Sequence, residues 1–268
     1  MTTGRLSGGG GFVTYTAAMA ILVFIVAPLA VIVALSVSEL NFATFPPKGF
    51  TLAWYGKVLS DAAFRHSFVV SILIALGATT ISLCLGLPAA YALDRWKVPS
   101  ASVIRTLLLS PMILPILITG LALLKLFSQA RMRDASINLL IGHILVTLPY
   151  VVRTITVSLE LVDRTLEEAA LTLGASPVRA FLRVTVSQLV PGIAAGCLFA
   201  FMISFDDYPI SMWLGDAEYV PLPVYLHDSL TRLFDPSIAA TSSLMILTGI
   251  LAVVGLEKIV GLRRAMGV

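Results

Sequence analysis

The chain has 268 residues, of which 58% are hydrophobic and only 12% are charged, and its mean hydropathy is +0.96. So few charged residues could not cover so much apolar side chain in water, which excludes a soluble globular domain and predicts an integral membrane protein. The net charge of +3 does not indicate nucleic-acid binding, because most of the excess is explained by an unequal distribution of Lys and Arg between loops. Cys84 and Cys197 lie inside apolar segments, so neither a disulfide framework nor a metal site has support.

Six apolar stretches approach the roughly 20 residues that a helix needs to cross a bilayer. They are residues 15–37, 67–92, 106–124, 135–158, 188–210 and 237–256. Pro111, Pro115 and Gly120 would bend or loosen the third stretch. Arg153 interrupts the fourth near its end, where a long side chain can reach the interface. The predicted fold is an all-α membrane protein with six transmembrane helices in one domain.

The distribution of Lys and Arg predicts the orientation, because these residues accumulate in cytoplasmic loops. A cytoplasmic N-terminus places 11 of them inside and 7 outside. The inside set is Arg5, Arg95, Lys97, Arg105, Arg153, Arg164, Arg179, Arg183, Lys258, Arg263 and Arg264, and the outside set is Lys48, Lys57, Arg65, Lys125, Arg131, Arg133 and Arg232. Both termini are therefore predicted to be cytoplasmic, with a leading segment at 1–14, a transmembrane domain at 15–256 and a tail at 257–268.

The longest polar interruption on the predicted cytoplasmic side lies in a loop over residues 160–187. Thr165 followed three residues later by Glu168 fits the capping-box pattern, which predicts a helix beginning at Leu166. Gly174 suits the end of that helix, because glycine takes the left-handed conformation at low steric cost.

This helix is predicted to carry one shallow apolar face, with side chains at i, i+3, i+4 and i+7 spacing. The face consists of Leu166, Ala169, Ala170 and Leu173. Ser176 followed by Pro177 predicts a second helix, and Pro191 and Gly192 would then mark the start of the fifth span. From the pattern alone, docking into a cleft on another protein and lying in the lipid headgroup layer are equally good interpretations.

Within this loop, Glu168-Ala169-Ala170 with Gly174, followed by Pro191-Gly192-Ile193, resembles the EAA motif of permease subunits in binding-protein-dependent ABC importers. The run lies about one hundred residues from the C-terminus, as it does in that family, although many members have proline where this chain has Ser187. The resemblance implies a type I ABC importer permease fold and a coupling helix that sits in a groove of a cytoplasmic ATPase. The implied coupling residues are Leu166, Glu168, Ala169, Ala170, Leu173 and Gly174.

Residues 110–120, 148–154 and 204–214 also resemble the spermidine and putrescine branch of these permeases, and in particular its second membrane subunit. The likeness implies an importer of a small amine-bearing solute, with a polyamine such as spermidine or putrescine as the first expectation. Many polyamine-type relatives have an acid directly after the proline corresponding to Pro115, whereas this chain has Ile116. The absence of this acid weakens the expectation of a polycation substrate. An amino acid, an opine or an aminophosphonate remains an alternative.

The sequence contains no G-x-x-x-x-G-K-[ST] phosphate loop, so no catalytic role is predicted and ATP hydrolysis is assigned to a partner. The resemblance implies a second permease subunit, two ATPase subunits that bind ATP and Mg, a periplasmic substrate-binding protein, and residence among the lipids of a bacterial inner membrane. No cofactor, metal or nucleic acid is expected for this chain. An ion-coupled secondary transporter is the alternative from another class, and a membrane enzyme is disfavoured because no set of acids and His converges on one interface.

Asp206 and Asp207 end the apolar run of the fifth predicted span, with Tyr208 and Trp213 close by. An acid in a membrane span invites a functional interpretation because its burial in lipid is costly. The pair could attract an amine along a substrate pathway or could cap the end of a helix, and the two aromatic residues could line that pathway or anchor the interface. His143 among apolar neighbours is predicted to be hydrogen-bonded packing.

Overall fold

The structure is a computed structural model that describes residues 10–40, 42, 44–232 and 236–260. Every regular element in these ranges is helical, so the predicted all-α class is confirmed. Most of the leading segment 1–14, most of the tail 257–268, and with them Arg5, Arg263 and Arg264, lie outside the described residues. The predicted division of the chain at residues 14 and 256 stays a prediction.

Twelve α-helices are present in the described ranges. They are α1 Gly10–Ser36, α2 Ala53–Ser60, α3 Ala62–Arg95, α4 Ala101–Leu109, α5 Ile116–Gln129, α6 Ala135–Glu160, α7 Arg164–Thr172, α8 Pro177–Ala180, α9 Val186–Phe205, α10 Pro209–Leu214, α11 Leu222–Arg232 and α12 Ser237–Val260. A 3-10 turn at Ser110–Met112 follows α4, and a π turn at Phe181–Thr185 joins α8 to α9.

Five helical segments are long and apolar enough to cross a membrane, and a bent pair brings the number to six if it counts as one span. The five are Phe12–Ser36, Ala62–Arg95, Ala135–Glu160, Pro177–Phe205 and Ser237–Lys258. Five of the six predicted spans therefore correspond to continuous segments, and the third corresponds to the bent pair.

The third predicted span, 106–124, is wrong as a single helix. Its two halves, Ala101–Met112 and Ile116–Gln129, meet at an angle of 101°. Pro115 is extended there, with φ −61° and ψ 116°. Its ring has no amide hydrogen to continue the helical hydrogen bonds and disfavours helical geometry at Leu114, the residue before it, so the chain breaks at this point. The prolines break this segment rather than merely bending it.

The fifth predicted span, 188–210, begins and ends elsewhere. The helical segment runs continuously from Pro177 to Phe205, so the second loop helix is the first part of the span. Pro191 lies inside α9, and the prediction that it marks the start of the span is wrong. Membrane helices tolerate such a proline because neighbouring groups satisfy the backbone carbonyl that it frees.

The chain forms two compact units. One unit contains the described residues up to Asp61 together with those of Asp228–Thr248, and the other contains Ala62–His227 and the described residues from Gly249. In the first unit the Tyr55 hydroxyl forms hydrogen bonds of 2.7 Å with the hydroxyls of both Ser36 and Ser243. The second unit contains the predicted loop with its coupling residues, and it also contains the candidate substrate-pathway residues after α9.

Helices α3, α6 and α9 form the packed centre of the second unit, with two apolar clusters. The cluster nearer α7 contains Ala90, Val151, Val152, Ile155, Leu159, Val162, Leu189 and Ala200. The other contains Val70, Ile74, Phe127, Leu139, Val146, Ile210 and Leu214, and so holds two residues of α10. One cluster therefore supports the loop after α6, and the other supports the short helix after α9.

Gly192 on α9 packs directly against Ser158 on α6, and we expect its replacement by Ala to lower the midpoint of thermal unfolding. An added methyl group would overlap the Ser158 side chain and lie 2.5 Å from its Cβ, an overlap that rotation of the hydroxyl cannot relieve. Forced overpacking of this kind costs about 1–3 kcal/mol. Gly255→Ala on α12 is the control, since a methyl group there meets no described atom within 4 Å. If the two variants have the same midpoint of thermal unfolding, the prediction is contradicted.

Candidate functional site

Helix α7 begins two residues earlier than predicted, because Asp163 rather than Thr165 caps it. The Asp163 carboxylate accepts a hydrogen bond from the Thr165 hydroxyl at 2.8 Å and another from the Thr165 backbone N–H at 2.9 Å. These bonds hold the pKa of Asp163 below its ordinary value. The predicted capping box with Glu168 and the start at Leu166 are wrong, since the Thr165 hydroxyl is already engaged with the preceding acid.

The end of α7 is where the sequence predicts it. Gly174 has φ +89°, and its N–H donates to the Leu171 carbonyl at 3.0 Å while the Ala175 N–H donates to the Ala170 carbonyl at 3.0 Å. This pair of bonds is the Schellman arrangement, which satisfies carbonyls that the helix end leaves free. The Ser176 hydroxyl then accepts from the Arg179 N–H, which confirms the predicted start of α8 at Pro177.

The predicted apolar face of α7 is largely uncovered. Leu173 is 89% exposed and Leu166 is 50% exposed, Ala169 is exposed, and Ala170 is half-buried. Glu168 is exposed as well. A short helix with exposed leucines and no buried residue is stabilised little by packing against its own chain. This exposure favours a surface that another component covers.

Glu167, which the sequence analysis did not single out, ties α7 to two spans. Its carboxylate accepts hydrogen bonds from the Tyr91 hydroxyl and, at 2.6 Å, from the Thr185 hydroxyl. The Arg95 Nε lies 3.7 Å from the same Glu167 oxygen that Thr185 contacts. Tyr91 and Arg95 belong to the last part of α3, and Thr185 ends the π turn before α9. One side chain therefore joins the loop helix to both spans.

Further contacts reinforce this junction. The Arg164 Nη2 lies 3.0 Å from the Asp94 carboxylate, and the Tyr91 and Phe181 rings lie 4.5 Å apart at their centroids. The only sequence signal for this anchor was the doublet Glu167-Glu168, because consecutive helical residues point about 100° apart and one of the two must turn toward the spans.

The two candidate acids after α9 differ in their surroundings. Asp207 is only 4% exposed, and its Oδ1 accepts from the backbone N–H groups of Ile210 at 2.7 Å and Ser211 at 3.4 Å. It therefore holds the first turn of α10. Asp206 is exposed, so its carboxylate is the more accessible of the pair.

The two candidate aromatic residues are held by different neighbours. The Tyr208 ring lies 4.6 Å from the His227 ring. Trp213 is half-buried and packs against Gly120, where an added methyl group would lie 2.8 Å from the Trp213 ring.

His143 is buried in the second unit and forms hydrogen-bonded packing, as predicted. Its Nδ1 lies 2.7 Å from the Ser204 hydroxyl, and its Nε2 lies 3.2 Å from the Ser211 hydroxyl. The imidazole thus joins α6 to both α9 and α10, so α10 is held by Asp207 and His143 together.

Residues 82–264 match the family described as "Binding-protein-dependent transport system inner membrane component", which is more than half of the chain. The chain belongs to this family. It is a non-catalytic, multi-pass permease subunit of an ABC importer in the inner membrane, as the loop motif predicted. Permeases of this family work with a partner permease, ATPase subunits and a binding protein.

Similar proteins agree with this assignment. The putrescine transport system permease protein PotI of Escherichia coli is 31% identical over 230 residues, which cover 83% of this chain and 82% of PotI. The spermidine/putrescine transport system permease protein PotC of Haemophilus influenzae is 28% identical over 207 residues, covering 77% of this chain and 80% of PotC. The resemblance to this branch is confirmed.

A solved structure shows the same fold. It is the crystal structure of a bacterial ABC transporter involved in the import of the acidic polysaccharide alginate, with a TM-score of 0.71 and 19% identity, covering 92% of this chain and 95% of the matched chain. The predicted type I importer architecture is confirmed, while the orientation of the termini stays a prediction.

Proposed function

We propose that this chain is one of two permease subunits that move a small amine-bearing solute, first of all a polyamine such as putrescine or spermidine, across the inner membrane. The names of the similar permeases PotI and PotC support this substrate class. The observation that carries the coupling role is the exposed apolar face of α7, held to α3 and α9 by Glu167.

In this proposal, both termini and the loop lie in the cytoplasm, where α7 docks in a groove of an ATPase subunit. The docking residues are Leu166, Glu168, Ala169, Ala170, Leu173 and Gly174. A pair of ATPase subunits binds ATP with Mg and closes during the cycle, and α7 moves with it. Because Glu167 contacts α3 and the π turn before α9, the displacement passes to those spans, which then alternate between inward and outward access.

The substrate pathway of this proposal includes Asp206, Asp207, Tyr208 and Trp213. The exposed Asp206 carboxylate meets the amine that a periplasmic binding protein delivers. Asp207 acts on the pathway indirectly, since its carboxylate holds α10 in place. Tyr208 lies directly between Asp207 and the first residue of α10.

Reconstitution in liposomes tests this proposal. The chain would be assembled with the second permease, the ATPase and the binding protein, and uptake of labelled putrescine and spermidine would be measured with ATP inside. We expect uptake that needs hydrolysable ATP and every component, and a non-hydrolysable ATP analogue serves as the control. Uptake by this chain alone, driven by an ion gradient, would instead establish a secondary transporter. If ATP-dependent uptake is seen only for an amino acid, an opine or an aminophosphonate, that solute and not a polyamine is the substrate.

A further inference from the structure

An open cavity of about 560 Å³ lies between α6 and α9, beside the 3-10 turn of the second unit. Its lining includes Met112, Tyr150, Arg153, Pro191, Ala195 and Phe199. The volume lies within the range of about 300–1,000 Å³ that small-molecule sites occupy. Arg153 is seven residues from the end of α6, which places it about 10 Å along the axis inside the span.

Arg153 is the single charged residue in the cavity lining, which contains no carboxylate. Two lining hydroxyls are already engaged, because Thr154 donates to the Tyr150 carbonyl at 2.8 Å and Ser158 donates to the Thr154 carbonyl at 2.9 Å. Across the described ranges 10–40, 42, 44–232 and 236–260, no residue forms an ion pair with Arg153. The guanidinium is thus the main source of free hydrogen-bond donors in the cavity.

Arg153 is exposed in this chain, and an ionisable side chain within a membrane span is by default a candidate functional residue. The guanidinium group presents five N–H donors in a planar fork that matches two oxygens of a carboxylate or a phosphonate. An ammonium group, by contrast, would be repelled by Arg153, and the lining offers no acid to attract it. The charge of the cavity therefore selects an oxyanion.

We propose that this cavity binds the acidic group of the transported solute through Arg153. The link to transport rests on the function proposed above. Among the amine-bearing solutes named there, it favours the alternatives that also carry a carboxylate or phosphonate, namely an amino acid, an opine or an aminophosphonate, over putrescine and spermidine. Ile116, which occupies the position after Pro115, agrees with a pathway adapted to something other than a pure polycation.

Three probes with four carbons separate the charge classes: putrescine with two amines, 4-aminobutyrate with one amine and one carboxylate, and succinate with two carboxylates. Each would be added to the assembled transporter in phosphatidylcholine nanodiscs, without binding protein or ATP, and the midpoint of thermal unfolding measured. We expect 4-aminobutyrate and succinate to raise the midpoint and putrescine to leave it unchanged. Arg153→Gln should weaken the apparent affinity for both acids by about tenfold or more, the loss of one charge-assisted contact.

Arg153→Lys keeps the positive charge and should retain part of the response, which separates loss of binding from misfolding. Arg179→Gln is the matched control, because it makes the same chemical change on α8, away from the cavity lining. The proposal is overturned if neither acid shifts the midpoint, if putrescine shifts it as much, or if Arg153→Gln responds like the wild type.

The same experiment would reveal two other binding partners of Arg153. If phosphatidylglycerol nanodiscs raise the midpoint of thermal unfolding and the added acids do not, Arg153 binds a lipid headgroup. If the Arg153→Gln variant loses the second permease, Arg153 pairs with an acid of that subunit. Either result overturns the proposal. ATP-driven uptake is not part of this measurement, so failure of uptake with acid binding intact would count against the proposed import function alone.

Discussion

Replacing Glu167 with Gln is expected to reduce ATP-driven uptake about tenfold or more while the ATPase stays bound to the permease. The Glu167 carboxylate accepts hydrogen bonds from Tyr91 and Thr185 and faces Arg95. Gln keeps the size of the side chain but removes its charge, and hydrogen bonds to a charged group contribute about 1.5–3 kcal/mol. Once this junction loosens, α7 can follow the ATPase without moving α3 and α9.

The measurement compares uptake with ATP hydrolysis in the reconstituted transporter, so that a rise in ATP consumed per solute reports the lost coupling. Glu160→Gln is the matched control, because Glu160 is exposed at the end of α6 and lies outside the Glu167 junction. Tyr91→Phe removes one partner from the other side and should lower uptake in the same direction. Because Tyr91 and Glu167 are in contact, the double variant should show less than the sum of the two effects. Unaltered coupling in Glu167→Gln would show that the junction carries no displacement.

Leu173→Asp is expected to abolish uptake and to release the ATPase, while the permease still inserts and folds. Leu173 is 89% exposed, so the new carboxylate disturbs little internal packing. It would instead place an unpaired charge in the apolar contact proposed for α7, which costs several kcal/mol when the contact is desolvated. Ala169→Asp, on the same face, should have the same effect.

Co-purification of the ATPase with the tagged permease measures the first consequence, and uptake in liposomes measures the second. Thr172→Asp is the control, because it introduces the same charge at an exposed neighbouring position outside the proposed apolar face. The melting midpoint of the permease should be similar in all three variants. A Leu173→Asp transporter that retains its ATPase and its uptake would place the docking surface elsewhere.

Local features of this chain could be predicted from the sequence because neighbouring residues determine them. Gly174 ends α7 since glycine takes a positive φ easily, and Ser176 with Pro177 starts α8 since a hydroxyl and a proline suit the first turn. Prediction failed where two nearby residues could each cap the helix, since Asp163 rather than Thr165 took the capping position.

The failures of the span predictions also have physical causes. Hydropathy measures the length of an apolar stretch, but it does not register a change of direction within it. The turn before Ile116 and the continuous segment from Pro177 to Phe205 depend on whether surrounding helices satisfy backbone groups at a proline. The stretch containing Pro115 is broken, while Pro191 lies inside a continuous helix.

By itself, the sequence determined that this is a helical membrane protein with an amphipathic loop whose motif belongs to importer permeases, because hydrophobic length and short motifs are written in consecutive residues. Only the tertiary structure decided which acid of the Glu167-Glu168 pair joins the loop to the spans, and which of Asp206 and Asp207 holds α10. The partners of Glu167 lie 76 and 18 residues away. Packing between distant segments brings such side chains together, and no local pattern encodes that distance.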